Sequence, residues 1–365
     1  MAILLKFSKQ LCTVAFAIFC ITLSAEPYIS VQTQMPCSSC HVNPTGGGMR
    51  TDYGIYYGAN TLPASQNKMV NPDIGKISSF LKLGGDFRYN FDAQQTDVED
   101  SKAQGFSVNS AQTYLLLSNE KSDWQFYLDQ QVAPGGAINR EALLIKKFDN
   151  GDYVKVGKMV PAFGLKLEDD LAFTRRFTGI NFDSSDNGVE YGFQGSSHLT
   201  NLFITNGTNA VENNNDRFQI GARTEWFLGK FRVGGAIIAN DSIDIERIMY
   251  SMFAGYVYES LTFLAEIVTI DQQTFEPAFI DEQQDIALFE VNWLINPGHN
   301  LKFTEEFYDP DKNLNEDHFV RHSLVYEFTP TANVQIRGGF RINEAPPQEL
   351  RENGERIFAQ LHFYF

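Results

Sequence analysis

From residue 78 to the last residue, apolar and polar side chains alternate in segments of about ten residues, and helical periodicity is almost absent. A period of two sends successive side chains to opposite faces of a strand. In "FLKLGGDFRYNF" it puts Leu81, Leu83, Phe87, Tyr89 and Phe91 on one face and Lys82, Asp86, Arg88 and Asn90 on the other. In "RFQIGARTEWF", Phe218, Ile220, Ala222 and Trp226 oppose Arg217, Gln219, Arg223 and Glu225. "VQIRGGFR" repeats it, with Val334, Ile336 and Phe340 against Gln335, Arg337 and Arg341. Dyads of this length suit strands with lipid on one side and water on the other.

Alternation also suits a soluble sandwich, so the connections decide. About sixteen strands are expected, beginning near residues 78, 106, 123, 138, 152, 187, 198, 217, 230, 247, 260, 284, 300, 318, 333 and 356. The links alternate in length. "EKSD", "NGD", "SSH", "LGK", "ES", "NPGH" and "TPTA" are short, whereas "DAQQTDVEDSKAQG", "NGTNAVENNND", "DQQTFEPAFIDEQQ", "YDPDKNLNED" and "NEAPPQELRENGE" are long and polar. Short periplasmic turns and long outer loops belong to antiparallel outer-membrane barrels with an even strand number. Both termini then fall on the periplasmic side. The chain ends in "FAQLHFYF", with Ile357, Ala359, Leu361, Phe363 and the terminal Phe365 in register on one face. The fold class is therefore all-β, an outer-membrane antiparallel barrel over 78–365.

Residues 1–25 read as a secretory signal peptide. Lys6 and Lys9 form its basic start, "LCTVAFAIFCITL" is an apolar core too short to span a bilayer, and cleavage is expected after Ala25. Cys12 and Cys20 leave with it, so the mature chain keeps only Cys37 and Cys40. No disulfide framework beyond that pair can form. The full chain has a net charge of −16. That excess of acid disfavours nucleic acid as a partner and suits cations or a hydrated, loop-rich surface.

Between leader and barrel, residues 26–77 contain "MPCSSCHVNPTGGGMR". Cys37-Ser38-Ser39-Cys40-His41 has the C-x-x-C-H spacing of covalent haem c attachment. Two thiols reach the two vinyl groups of one porphyrin while the next imidazole lies beneath the iron. The alternative is a redox pair or disulfide with an incidental histidine, but no βαβ pattern surrounds the pair. Cys37 and Cys40 are thus the expected haem thioethers and His41 the proximal iron ligand. Met49, after the flexible Gly46-Gly47-Gly48 run, is the first candidate for a distal ligand, and Met69 is the second. A site without a sixth protein ligand is the alternative. About fifty residues can wrap one haem but hardly build a free-standing core. A sixteen-strand barrel holds a lumen wide enough for a plug, so this segment is expected to sit in or cap the periplasmic mouth.

Residues 151–179, "GDYVKVGKMVPAFGLKLEDDLAFTRRFTG", resemble the strand and inward-folding constriction loop of the phosphate-selective porin family. The whole mature layout, one C-x-x-C-H after a "QT" stretch (Gln32-Thr33) fused to a porin, resembles the fused monohaem cytochrome c–porins of the outer membrane. That resemblance implies electron transfer across the outer membrane, between a periplasmic c-type cytochrome and an extracellular redox partner or metal ion such as Fe(II). It implies an electron carrier rather than a substrate-converting enzyme. Acidic clusters at Asp97, Glu99 and Asp100, at Asp281, Glu282 and Asp285, and at Asp309, Asp311, Glu316 and Asp317 either attract metal cations or simply keep outer loops solvated. The second reading is a solute porin in which haem is a plug or sensor. Its anion path would be lined by Arg88, Lys155, Arg217, Arg223, Arg232, Lys302, Arg337 and Arg341, with Arg175 and Arg176 in the loop. The same residues, interleaved with Asp86, Asp129, Glu190, Glu225 and Glu306, would equally form salt bridges holding a filled lumen. A haem peroxidase ranks last, because residues 26–77 offer no distal His–Arg pair.

Overall fold

The computed structural model describes residues 26–65, 75–98, 101–119, 122–208, 212–213, 215–242, 244–275 and 279–365. The leader, Met69, Glu99 and Asp100 lie outside the described residues.

Sixteen antiparallel strands close into one barrel, each paired with its sequence neighbours and the first with the last. They are β1 (Leu81–Thr96), β2 (Ala103–Ser118), β3 (Trp124–Ala133), β4 (Ile138–Lys147), β5 (Tyr153–Met159), β6 (Asp186–Gln194), β7 (His198–Thr205) and β8 (Gln219–Leu228). The second half comprises β9 (Phe231–Asp241), β10 (Ile245–Tyr258), β11 (Leu261–Thr274), β12 (Ile280–Asn296), β13 (His299–Asp309), β14 (Phe319–Phe328), β15 (Val334–Glu344) and β16 (Gly354–Tyr364). Every start lies within four residues of its expected position. Closure leaves no unpaired edge, which a bilayer requires because it offers backbone groups no water. The seam is fixed by the register Asp86↔Tyr364 through Thr96↔Gly354.

The period-two pattern predicts the two faces correctly. Phe87, Tyr89, Ile220, Trp226, Leu361 and Phe363 face outward and are exposed, while Asn90, Gln219, Arg223, Glu225 and His362 face inward and are buried. Aromatic rings gather near the short turns. Phe231 and Tyr256 stack at 4.6 Å, Tyr256 and Phe263 at 6.4 Å, and His299 and Phe328 at 4.5 Å. Such a girdle marks the interface between acyl chains and head groups.

The sorting of links is less strict than the sequence suggests. Links 134–137 and 242–244 on the long-loop rim are as short as the turns opposite. Parts of the expected loops are instead strand, because β1, β2 and β12 run for 16, 16 and 17 residues. A bilayer needs only ~9–11 residues per strand, so these ribbons stand above it. The pairing continues there because alternating side chains still find cross-strand partners.

Two segments occupy the lumen. Residues 160–185 leave β5 at the long-loop rim and fold inward, carrying the short helix α4 (Phe173–Arg176). Val160, Phe163, Phe173 and Ile180 pack on Ile238, Met249, Val268 and Ile286 of the wall. The Phe173 amide donates to Glu306 (2.6 Å) and the Leu165 amide to Glu266 (3.2 Å). Residues 26–65 carry α1 (Pro27–Thr33), α2 (Cys37–Cys40) and α3 (Asp52–Asn60). Tyr28, Ile29 and Val31 of α1 pack with Leu165 and Leu167 of the inward loop and with Phe253 and Leu264 of the wall. This segment reaches the short-turn rim, where the Ala64 and Ser65 amides donate to Thr329 and Pro330 carbonyls at 2.5 and 2.8 Å. Apolar packing of these two segments against the inner wall occupies much of the lumen.

Candidate functional site in the lumen

One turn of α2 sets the geometry of the cysteine motif. Residues three apart on a helix share a face, so Cys37 and Cys40 project together. His41 ends the turn in an extended conformation, its amide donating to the Cys37 carbonyl at 2.9 Å. The chain then doubles back. Val42 donates to Met49 and Thr51 to Cys40, each at 2.9 Å, and His41 pairs with Arg50. Gly46, Gly47 and Gly48 turn this loop with φ of 90°, 83° and 61°, a region that side-chain-bearing residues rarely adopt. A Cβ at Gly46 would stand 3.0 Å from Cys37 Cβ, and one at Gly48 would stand 1.9 Å from Tyr127 Oη. Thr51 caps α3, accepting from the Gly54 amide (3.1 Å) while donating to the Ser39 carbonyl (2.8 Å).

Cys37, Cys40 and His41 all line one cavity of about 300 Å³, together with Met35, Gly46, Gly47, Gly48 and Tyr57. His41 is buried, and among the described residues its Nδ1 has no hydrogen-bond partner. Burial, reinforced by the Arg50 and Lys166 charges, pushes its pKa down to about 3. The imidazole is therefore neutral at ordinary pH, the form that ligates iron. Burial also raises the Cys40 thiol, helped by Cys37 and opposed by Arg50. Two free thiols on one helical face, a neutral imidazole with an orphaned nitrogen and a glycine loop against Cys37 fit a covalently held haem.

Met49 lies elsewhere. Its side chain packs in an apolar cluster with Val42, Tyr127, Leu143, Ile145 and Met159, and its amide donates to Tyr127 Oη at 3.2 Å. The cavity wall is formed by its neighbours Gly48 and Arg50. This cluster is apolar on the lumen side of β2–β5, where an aqueous pore would place polar groups. Beside it, Asn43 donates to both Glu141 oxygens (2.9 and 2.8 Å) and accepts from Lys155 (3.2 Å).

The lumen cations are mostly paired. Glu225 Oε2 accepts from Arg223 (3.1 Å) and Arg232 (2.6 Å), and Lys155 pairs with Glu190 at 3.1 Å. Lys302 pairs with Glu26 (2.8 Å), Arg337 with Glu327 (3.3 Å), Arg88 with Glu168 (2.5 Å), and Arg341 with Asp169. Of the two sequence readings for these residues, internal salt bridges describe the structure. Arg217 and Arg176 depart from the lumen set. They are part-exposed and pair with Glu246 and Glu352.

Arg140, Lys166, Asn43, Tyr127 and Arg50 were not legible as site residues. A register shift at Asp129/Gln130 breaks the alternation beside Arg140. Tyr127 lies on β3 as an inward aromatic that alternation alone does not mark, and Asn43, Arg50 and Lys166 lie outside any periodic element. Among the described residues, no three or more His, Cys, Asp or Glu side chains converge to hold a metal ion. Asp285 is instead paired with Lys312 at 3.0 Å.

No family model matches the chain, and no curated protein matches it. Solved structures do. The anion-selective porin from Comamonas acidovorans has a TM-score of 0.63 at 10% identity, covering 78% of this chain and 99% of that one. OmpT of Vibrio cholerae has a TM-score of 0.61 at 9% identity, covering 80% and 99%. OmpF of Salmonella typhi has a TM-score of 0.59 at 10% identity, covering 78% and 97%. At such identities the likeness is one of fold. Fold and surface define a porin-like outer-membrane β-barrel. Its particular character is a lumen occupied by an inward loop and an N-terminal segment bearing C-x-x-C-H.

Proposed function

We propose that this barrel carries electrons across the outer membrane through one haem c attached at Cys37 and Cys40, with His41 as its iron ligand. One observation carries the reading: Cys37, Cys40 and His41 meet at a single lumen cavity lined by the barrel wall, the inward loop and the N-terminal segment. The bound haem supplies a one-electron carrier within an otherwise insulating barrel. The chain's part is to hold His41 neutral and buried, to present both thiols on one helical turn, and to keep bulk water away by filling the lumen around them. The partners are a periplasmic c-type cytochrome on one side and an extracellular redox partner or metal ion on the other.

A solute porin is the second reading. It is supported by the likeness in fold to porins and by the many arginines on the cavity wall. Proteoliposomes enclosing a redox dye separate the two. An impermeant reductant outside should reduce the dye through wild type but not through the Cys37→Ala/Cys40→Ala protein. Equal ion leakage through both proteins, without haem-dependent dye reduction, would sink the electron-carrier reading in favour of the porin.

A further inference from the structure

Against the general pairing of the lumen cations, Arg175 stands out. Its side chain is 2% exposed and lies on the cavity wall, yet Nε and Nη2 have no hydrogen-bond partner. Among the described residues no carboxylate forms an ion pair with it. A buried guanidinium without a carboxylate in contact is costly to keep out of water, and five donors in a planar fork are shaped for a carboxylate. Asp170 lines the same cavity without forming an ion pair with it. It is not alone. Arg175, Arg140 and Lys166 surround the Phe182 ring at 5.1, 4.9 and 5.3 Å from its centre. Arg140 is partly committed, its Nε lying 3.2 Å from the Phe182 carbonyl and 3.4 Å from exposed Asp183. Lys166 donates to the Gly46 carbonyl at 2.6 Å. That last bond ties the cluster to the haem motif, because Gly46 sits against Cys37 and Gly47 against Phe182.

We propose that Arg175, with Lys166 and Arg140, forms a carboxylate-binding site on the cavity wall that receives a propionate of the haem attached at Cys37 and Cys40. The assignment rests on the haem reading above. A haem bound through Cys37, Cys40 and His41 carries two carboxylates that must enter the same cavity, and desolvating them demands fixed cations. The Phe182 ring holds the cations in place through its face. Burial lowers Arg175's own pKa, with Asp170 and Glu266 opposing from a distance, consistent with a cation lacking a contact partner.

The test uses the full barrel matured with covalent haem, comparing wild type, Arg175→Gln, Arg175→Lys and Lys166→Gln. Haem content is read from the denatured chain, and the midpoint potential by spectroelectrochemistry. Loss of one buried cation favours the oxidised haem, so Arg175→Gln should shift the reduction equilibrium about tenfold, 59 mV lower for a one-electron couple. Haem content should be unchanged, Arg175→Lys should restore most of the potential, and Lys166→Gln should shift it in the same direction. An unaltered potential in both Gln variants overturns the site. So does an Arg175→Lys protein as low as Arg175→Gln, because that means a packing role. Wild type without haem overturns the haem reading, and the propionate assignment falls with it. Bilayer conductance then tests free carboxylate: block by citrate that Arg175→Gln abolishes retains the carboxylate chemistry, and identical block in both proteins removes it.

Discussion

Glu225 Oε2 carries two arginines at once. It accepts from Arg223 Nη2 at 3.1 Å and from Arg232 Nε and Nη2 at 2.8 and 2.6 Å. Those arginines in turn hold both lumen segments, Arg223 donating to the Gly164 carbonyl (2.9 Å) and Arg232 to the Pro27 carbonyl (3.4 Å). All three side chains are buried. Glu225→Gln keeps the volume and removes only the charge, leaving two buried cations unneutralised at a cost of ~3–5 kcal/mol. The barrel ladder is untouched, so the cost falls on the docking of α1 and the inward loop. Their opening equilibrium should rise roughly 100- to 5,000-fold. Hydrogen exchange reads this directly from the Ile29 and Leu167 amides, which are bonded to Glu26 and Leu165 carbonyls, with β10–β11 amides as the internal reference. Adding Arg232→Gln should recover part of the lost protection, because one of the stranded charges leaves. Less than a tenfold rise at both amides, or no recovery in the double variant, would refute the view that this triad clamps the lumen.

Gly48→Ala should disorder the 41–50 loop, since its Cβ overlaps Tyr127 Oη and its φ is positive; Tyr127→Phe should relieve part of the defect, and haem attachment yield reports both. Met49→Leu should cost less than ~1.5 kcal/mol and leave the optical spectrum of the haem unchanged, because Met49 packs away from the cavity; loss of a methionine-to-iron signature in that variant would return Met49 to the iron. Burial, with Lys155 and Arg175 nearby and Glu141 opposing, lowers the Lys166 pKa to about 8. A lysine whose folded value lies below its unfolded 10.5 disfavours the fold progressively as pH falls from about 10.5 to 8. In the apo chain, Lys166 acylation followed by peptide mass spectrometry should reach half its maximal rate near pH 8; a midpoint near 10.4, the ordinary lysine value, would contradict this burial.

The strands were legible because lipid and lumen impose a period of two on every spanning segment. Phe87 against Arg88 and Phe218 against Gln219 could take only one arrangement, and closure followed from the cost of bare edges in a bilayer. The C-x-x-C-H spacing was legible as a motif, and the structure brings Cys37, Cys40 and His41 to one cavity. The contents of the lumen were not, for inward positions are polar whether they face water or a packed plug. Arg223 and Arg232 read alike as a pore lining or as a clamp, and only their bonds to the Gly164 and Pro27 carbonyls distinguish the two. Leu143 and Ile145 look like breaks in the alternation until Val42 and Met49 are laid over them. Arg175 and Lys166 come from a stretch without periodicity, so only the tertiary fold places them on the same cavity wall as Cys37. The one-dimensional pattern determined which face each strand turns to lipid; long-range packing, which leaves no periodic trace, decided what fills the barrel and which lumen charges pair with one another.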